Sequence, residues 1–113
     1  MSRLMSVALT EPAVRDQSKT VTRRLGWLFA KPGDRLTLCR KVMGRRRGDP
    51  LVRVAEVELV SVTREPLEAV TAEDAVREGF PGWTPDQFVT FFCEHMKVGP
   101  ETTVTRLEWR YVA

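Results

Sequence analysis

The feature that most constrains the fold is a long run of β-type residues, Leu51–Val62. Its apolar side chains do not keep a single alternation along the run. The first two valines fall on one predicted face, the apolar residues of Ala55–Leu59 fall on the other, and Val60 and Val62 return to the first. A strand changes phase in this way when it contains a bulge or turns the corner of a barrel. We therefore predict a strongly curled sheet.

Shorter patterned segments surround this run. Four of them have the composition or the alternation of strands, namely residues 4–10, 20–25, 35–42 and 102–112. Three positions carry helix-start signals: Glu11 and Pro12 after Thr10, Thr71 with Asp74, and Thr84 with Pro85 and Gln87. These elements predict an α+β fold, a small, partly open, mostly antiparallel β-barrel with two or three short helices.

Composition restricts the class of protein. The chain has 113 residues, 42% hydrophobic and 29% charged, which is typical of one soluble globular domain over residues 1–113. No apolar run is long enough to cross a bilayer, and the first ten residues do not resemble a secretory signal, so we expect an intracellular, cytoplasmic protein without a membrane partner. The only histidine, His95, is two residues from Cys93, which is not a metal-ligand spacing. We predict no metal and no cofactor.

Two segments concentrate positive charge. Residues 17–24 read QSKTVTRR and offer an amine, hydroxyls and guanidinium groups, which suit a polar or anionic ligand if they line a cleft. The second segment follows the predicted third strand, and its candidate nucleic-acid-binding residues are Arg40, Lys41, Arg45, Arg46 and Arg47. This basic loop has two interpretations, a solvated hairpin tip or a contact with phosphates.

The sequence resembles the ASCH domains, a branch of the PUA-like superfamily of small β-barrels. The family signature is Gly-x-Lys-x-x-Glu-x-Arg, and the equivalent positions here are Gln17, Lys19, Thr22 and Arg24. The lysine and the arginine match, whereas Gln17 and Thr22 depart from the signature. A subgroup of small bacterial amidohydrolases that deacetylate N4-acetylcytidine is more similar, because it carries threonine at the Thr22 position. The resemblance extends from residue 9 to the last strand.

The resemblance implies a catalytic triad of Lys19, Thr22 and Glu78, since the subgroup pairs Lys and Thr with a glutamate in the helical region after the long strand. Amide hydrolysis needs a nucleophile or an activated water, a base and a proton donor for the departing amine, and these three side chains can supply them. Glu78 immediately precedes Gly79, the predicted end of a helix, where helix carbonyls disfavour a negative charge. An acid at this end of a helix is unusual, and a functional role would explain it.

Strand alternation makes one demand on this triad. It places Thr22 and Arg24 on one face and Val21 and Arg23 on the other, with Lys19 on the face of Val21. The triad therefore requires that Lys19 precede the regular strand or lie at a bulge. Arg24 would then lie beside Thr22 and hold a carbonyl or phosphate oxygen of the ligand.

Aromatic side chains in loop-like segments are candidates for stacking on a nucleobase. Four such residues flank the predicted site, Trp27, Phe29, Phe80 and Trp83, and we assign ligand binding to Trp27, Phe80 and Trp83. Trp109 is predicted to lie in the core. A stripe of Phe88, Phe91, Phe92, His95 and Met96 has helical spacing and is also predicted to face the core, with His95 partly buried.

The sequence therefore favours an ASCH-type domain whose partner is a nucleoside or RNA, and whose reaction is hydrolysis of an acylated exocyclic amine such as that of N4-acetylcytidine. A second interpretation is a non-catalytic RNA-binding module that uses the basic loop for phosphates and the cleft for a base. A ribonuclease is a third and weaker alternative, because the chain lacks a second histidine or a carboxylate cluster.

Overall fold

The computed structural model describes residues 2–42 and 46–112, which form one sheet and three short helices. The strands are β1 (Arg3–Ser6), β2 (Val21–Arg24), β3 (Arg35–Cys39), β4 (Arg53–Pro66) and β5 (Thr103–Tyr111). The helices are α1 (Glu11–Arg15), α2 (Ala72–Arg77) and α3 (Pro85–Met96). Within the described residues, no helix is long and apolar enough to cross a membrane.

The sheet is curled into a half-barrel with the strand order β1-β3-β4-β5-β2. β1 is parallel to β3, and the other three neighbouring pairs are antiparallel. The edge strands β1 and β2 approach each other without pairing, and we call the opening between them the seam. Arg24 of β2 spans the seam, because its Nη2 donates to the main-chain oxygen of Ser6 at 2.8 Å. The predicted α+β class, with a partly open and mostly antiparallel barrel, is confirmed.

The predicted bulge lies in β4, where the pairing with β5 shifts between Leu59 and Ser61. Leu59 faces Trp109 and Ser61 faces Glu108, so Val60 is the extra residue. Leu59 is buried whereas Val60 is 43% exposed. A bulge bends the strand and increases its twist, which allows one 14-residue strand to take part in both ends of the curled sheet.

The first strand is shorter than its composition predicts. The expected strand over residues 4–10 is wrong at its end, because β1 stops at Ser6 and Ala8–Thr10 form a 3₁₀ turn that leads into α1. The chain leaves the extended conformation at Val7, where ψ is 34°. Pro12, near the start of α1, has a fixed φ that suits a helix, so helix initiation overrides β propensity here. The turn therefore borders the seam instead of extending the sheet.

Capping side chains begin α2 and α3 where the sequence predicts. The Thr71 hydroxyl accepts from the Asp74 N–H at 3.1 Å. At the start of α3, Thr84 and Gln87 form a reciprocal capping box, with hydrogen bonds of 2.8 and 3.1 Å. Each cap satisfies N–H groups that the first turn of a helix leaves without an intrahelical partner.

Gly79 ends α2 and allows it to pack closely against the beginning of the chain. Its φ is 104°, a conformation that strongly favours glycine. A Cβ at this position would lie 3.1 Å from Thr10 Cγ2 and 3.2 Å from Ala13 Cβ. A side chain would therefore both strain the backbone and separate α2 from α1.

Two clusters of buried apolar residues hold the fold together. One lies inside the curled sheet and includes Met5, Leu38, Leu59 and Trp109, which confirms Trp109 as a core residue. The second lies under α2 and α3 and consists of Leu67, Val70, Ala75, Phe88, Phe92 and Val104. A polar region around β2 and the end of α2 adjoins both clusters.

Candidate functional site

A cleft of about 530 Å³ opens at the seam of the half-barrel. The turn after β1 forms one side, β2 and the end of α2 supply the polar groups, and Phe80 and α3 supply an apolar wall. The cleft brings together the predicted residues Lys19, Thr22, Arg24 and Glu78. Its size falls within the range of sites that hold small molecules.

Lys19 lies two residues before the start of β2, so the alternation of that strand does not determine its direction. Its main chain is firmly held: its N–H donates to Ala13 O at 3.0 Å, and its carbonyl accepts from Trp109 Nε1 at 3.1 Å and from the Tyr111 hydroxyl. Its Nζ donates to the Glu78 carbonyl at 2.6 Å and lies 3.4 Å from Glu78 Oε1. Burial lowers the pKa of Lys19 to about 8, against the opposing attraction of Glu78.

Glu78 reaches Lys19 because the last turn of α2 is docked on the start of β2. The Thr20 N–H donates to Arg77 O at 2.9 Å, and Arg77 Nε donates to Thr20 Oγ1 at 2.9 Å. Glu78 follows as the C-cap of α2, and its carboxylate lies between two cations. Lys19 contacts Oε1, and Arg23 Nη1 donates to Oε2 at 3.0 Å. These cations offset the unfavourable effect of the helix end on a carboxylate.

Thr22 and Arg24 lie on the same face of β2, as strand alternation predicts. Arg24 Nε donates to Thr22 Oγ1 at 3.2 Å, while Nη2 spans the seam to Ser6. No carboxylate forms an ion pair with Arg24 in the part of the chain that the structure describes, although the guanidinium is partly buried at the cleft. Arg24 is thus the cation of the site that is best suited to an electronegative atom of a ligand.

Arg23 is the important polar residue that the sequence analysis missed. Its side chain is only 1% exposed and contacts three carboxylates: Glu78, Asp74 at 2.5 Å and Glu65 at 3.1 Å. The pKa of Asp74 is lowered to about 2, mainly by the hydrogen bonds from Arg106 and also by those from Arg23. The only sequence signal for this cluster is an arginine in a strand otherwise rich in buried residues.

The aromatic residues divide between two surfaces. Trp27 and Phe80 line the cleft, whereas Trp83 packs against Phe80, with ring centroids 4.6 Å apart, and faces a separate shallow groove along α3. Phe29 is 48% exposed and is not among the residues that line the cleft. Its ring lies under the guanidinium of Arg3, 3.9 Å from the centroid.

The apolar stripe of α3 is only partly core. Phe88 and Phe92 are buried, but the expectation of a partly buried His95 is wrong: His95 is exposed on the cleft wall and stacks on Phe91 with an interplanar angle of 17°. Met96 is 41% exposed on the same wall. The stripe is wider than the core beneath it, so its outer members face the cleft.

The predicted basic loop lies away from the cleft. None of its described residues, Arg40, Lys41, Arg46 and Arg47, lines the cleft, and Arg45 lies outside the described residues. Arg40 forms a forked pair with Glu11, at 2.9 and 3.1 Å. Lys41, Arg46 and Arg47 are exposed, and within residues 2–42 and 46–112 none of the three has an ion-pair partner.

Across the described chain, no group of three or more His, Cys, Asp or Glu side chains is placed to hold a metal ion. The groups that the cleft offers include an amine with a lowered pKa, a hydroxyl, a guanidinium and a carboxylate. Together they can transfer protons and stabilise negative charge on an oxygen.

Comparison with known proteins identifies the fold. No protein-family model matches the sequence, and no curated protein matches it. Among solved structures, a family-model DUF984 protein from Enterococcus faecalis V583 is similar, with a TM-score of 0.70, 16% identity, and coverage of 99% of this chain and 80% of that one. An ASCH domain from Lactobacillus crispatus JV V101 gives a TM-score of 0.61 at 14% identity, over 91% of this chain and 70% of that one. The chain therefore has the fold of an ASCH domain.

Proposed function

We propose that the protein hydrolyses the amide of an acylated exocyclic amine on a nucleobase or nucleoside, such as N4-acetylcytidine. One observation carries the proposal: a buried lysine with a pKa of about 8 borders a ligand-sized cleft beside a carboxylate and a hydroxyl. Strongly perturbed amines in clefts are typical of sites that transfer protons. The resemblance to the amidohydrolase subgroup supports the same roles.

In this reaction neutral Lys19 takes a proton from the Thr22 hydroxyl or from a water, and the activated oxygen attacks the acyl carbon. Thr22 Oγ1 already accepts a hydrogen bond from Arg24, so its own proton is available to a base. The guanidinium of Arg24 stabilises the negative charge that develops on the carbonyl oxygen. The C–N bond breaks as the Lys19 ammonium returns its proton to the leaving amine. If Thr22 is the nucleophile, this step leaves an acyl ester on its oxygen, and one water then hydrolyses the ester to the carboxylic acid and the free hydroxyl. If water is the nucleophile, the carboxylic acid forms directly when the C–N bond breaks.

The walls of the cleft suit the rest of such a substrate. A pyrimidine is planar and can stack against aromatic rings, which Trp27, Phe80 and the Phe91–His95 pair provide. Glu78 accepts from Lys19 and so orients the amine.

Release of cytidine from N4-acetylcytidine tests the proposal directly. Lys19→Met keeps most of the side-chain volume but cannot carry a proton, and we expect it to lower kcat by about 10²–10⁴-fold. Glu78→Gln should lower kcat more than it changes KM, since it removes a charge and keeps the shape. Arg47→Met, in the basic loop, is the matched control. Equal turnover by the wild type and Lys19→Met would contradict the proposal.

The exposed cations of the basic loop favour one second candidate function, RNA binding. Lys41, Arg46 and Arg47 have no carboxylate partners within the described chain, so they are available to phosphates. Gel shifts with single-stranded RNA at several salt concentrations test this function. Binding that weakens in an Arg46→Ala/Arg47→Ala variant and persists in Thr22→Val would support it, whereas equal affinity in the loop variant would exclude it.

A further inference from the structure

The Lys19–Glu78 pair is the inner end of a continuous row of ion pairs. Each member contacts the next at 2.5–3.4 Å, and the charges alternate in sign along the row. From the cleft outward, the row consists of Lys19, Glu78, Arg23, Asp74, Arg106, Glu108 and Arg77. It joins β2, α2 and β5, which are distant in sequence.

The row runs from a buried end to a solvated end. The side chains of Lys19, Glu78 and Arg23 are at most 4% exposed, those of Asp74 and Arg106 are 11% and 15% exposed, and the outer pair is 29% exposed. Interactions between charges are screened least at the buried end. A change of charge at the inner members should therefore affect Lys19 more than the same change farther out.

Arg23 occupies the decisive position in this row. It shares Glu78 with Lys19 and shares Asp74 with Arg106, while Glu65 contacts it from the side. Lys19 contacts Glu78 Oε1 and Arg23 contacts Oε2, so a movement of the shared carboxylate toward Arg23 lengthens and weakens its contact with Lys19. Asp74 in turn limits how strongly Arg23 can hold Glu78.

We infer that Arg23 and Asp74 are positioning residues for the proposed catalytic pair, which set the orientation of Glu78 and the readiness of Lys19 to give up its proton. Neither residue is part of the family signature that the sequence resembles. The catalytic consequence of this inference rests on the proposed function, whereas the effect on Lys19 is independent of turnover.

The inference predicts an alternating pattern. Removing the positive charge of Arg23 leaves Glu78 to Lys19 alone and should raise the pKa of Lys19. Removing the negative charge of Asp74 should lower it, because Arg23 then holds Glu78 more strongly. Removing the positive charge of Arg106 should raise it again, by less than the loss of Arg23 does.

The other charged or titratable groups around Lys19 are the same in all of these variants. Arg24 of β2 lowers the pKa of Lys19, and Glu78 from the end of α2 raises it. β5 contributes the Tyr111 hydroxyl at the Lys19 carbonyl, and α3 contributes His95 on the cleft wall. None of these residues is altered, so a change in the titration of Lys19 reports on the row.

The test follows the titration of the lysine Cε resonances by NMR. The chain has four lysines, Lys19, Lys31, Lys41 and Lys97, so Lys19 is identified from the spectrum of a Lys19→Arg variant. We expect the pKa of Lys19 to rise in Arg23→Met, to fall in Asp74→Asn, and to rise by a smaller amount in Arg106→Met. Arg23→Lys, which keeps the charge, should remain close to the wild type. Glu58→Gln, which removes a carboxylate paired with Arg35 and Arg110, is the control and should cause no shift.

The inference would be overturned if the pKa of Lys19 shifted in the same direction in all three variants, or if its shifts were no larger than that in Glu58→Gln. If Arg23→Met does not fold, Asp74→Asn and Arg106→Met still test the alternation, because both side chains are less buried than that of Arg23. The pH dependence of kcat on N4-acetylcytidine should move with the Lys19 titration in each variant. An alternating titration without turnover would reject the proposed function and leave the positioning role intact.

Discussion

The chain contains two basic segments that look alike in sequence and have opposite fates in the fold. In residues 17–24, Lys19 and Arg23 are buried and bound to carboxylates. In the basic loop, Lys41, Arg46 and Arg47 are exposed to solvent. Residues 17–24 carry three cations and residues 40–47 carry five, so both segments are strongly basic and a basic composition alone does not decide between burial and exposure.

The difference lies in carboxylates supplied by distant parts of the chain. Glu65, Asp74 and Glu78 are 42 to 55 residues from Arg23 in sequence, and the curled sheet and α2 bring them to it. In the loop, Arg40 forms a surface pair with Glu11, and the carboxylate of Asp49 accepts from the Arg46 main-chain N–H. Within the described residues, no carboxylate forms an ion pair with the side chains of Lys41, Arg46 or Arg47. A basic segment can therefore be buried only where the fold places carboxylates beside its cations, whereas water solvates the cations of an exposed segment.

The largest expected difference between the two segments is the loss of stability when one arginine is removed from each. Arg23→Met leaves three carboxylates without their shared cation, and we expect it to lower the free energy of unfolding by about 3–5 kcal/mol. Arg47→Met should leave the stability unchanged, because water already solvates this side chain. Urea denaturation of both variants measures the contrast. Equal stability of the two variants would remove the distinction between the segments.

A substitution of Gly79 tests whether the close packing of α2 against α1 is needed to place Glu78 beside residues 17–24. Gly79→Ala combines an unfavourable φ with contacts to Thr10 and Ala13, and we expect a loss of about 1–3 kcal/mol together with reduced turnover. Gly33 also has a positive φ, 95°, but a Cβ added there would meet no atom within 4 Å beyond its chain neighbours. Gly33→Ala therefore shows the effect of φ alone, and a loss as large as that of Gly79→Ala would exclude a role for packing.

The burial of Lys19 predicts how stability depends on pH. Its pKa is about 8 in the folded protein and 10.5 ordinarily, so between these values the unfolded chain binds more protons. The contribution of Lys19 to stability should therefore rise with pH in this window and stay constant below about 8. Comparing unfolding free energies at pH 7 and about pH 9.5 for the wild type and Lys19→Met isolates this contribution. Parallel pH dependence in the two proteins would contradict it.

The smallest effect concerns the exposed segment. Neutralising Arg46 or Arg47 should leave the turnover of N4-acetylcytidine unchanged, because neither side chain reaches the cleft. If the loop binds RNA, each substitution should reduce the dependence of log affinity on log salt by about one charge contact. A change in turnover without any change in RNA affinity would contradict the separation of the loop from the cleft.

Local signals were sufficient to predict most of the fold. The phase change in Leu51–Val62 predicted the bulge in β4, and the threonine caps predicted where α2 and α3 begin. These features depend on neighbours in sequence and on strand or helix periodicity, which a sequence displays directly. The end of β1 was wrong because Pro12 and the following helix act against the β propensity of residues 7–10.

The candidate site was less accessible to sequence analysis. The resemblance supplied Lys19, Thr22, Arg24 and Glu78, and the structure places all four at one cleft. Arg23 was missed because its partners come from other elements, and alternation alone gives no reason for an arginine to be buried. His95 was misplaced because helical spacing identifies an apolar face without showing how much of that face the core covers.

The unclosed seam also bears on how the molecule behaves at high concentration. Two unpaired strand edges ordinarily invite pairing with another chain, which leads to aggregation. Here both edge strands are only four residues long, and the guanidinium of Arg24 occupies a carbonyl that a foreign strand would otherwise use. A positively charged side chain on a short edge is a common protection against such pairing. Arg24 therefore leaves the cleft at the seam accessible to small molecules while it hinders the pairing of β1 with a strand of another chain.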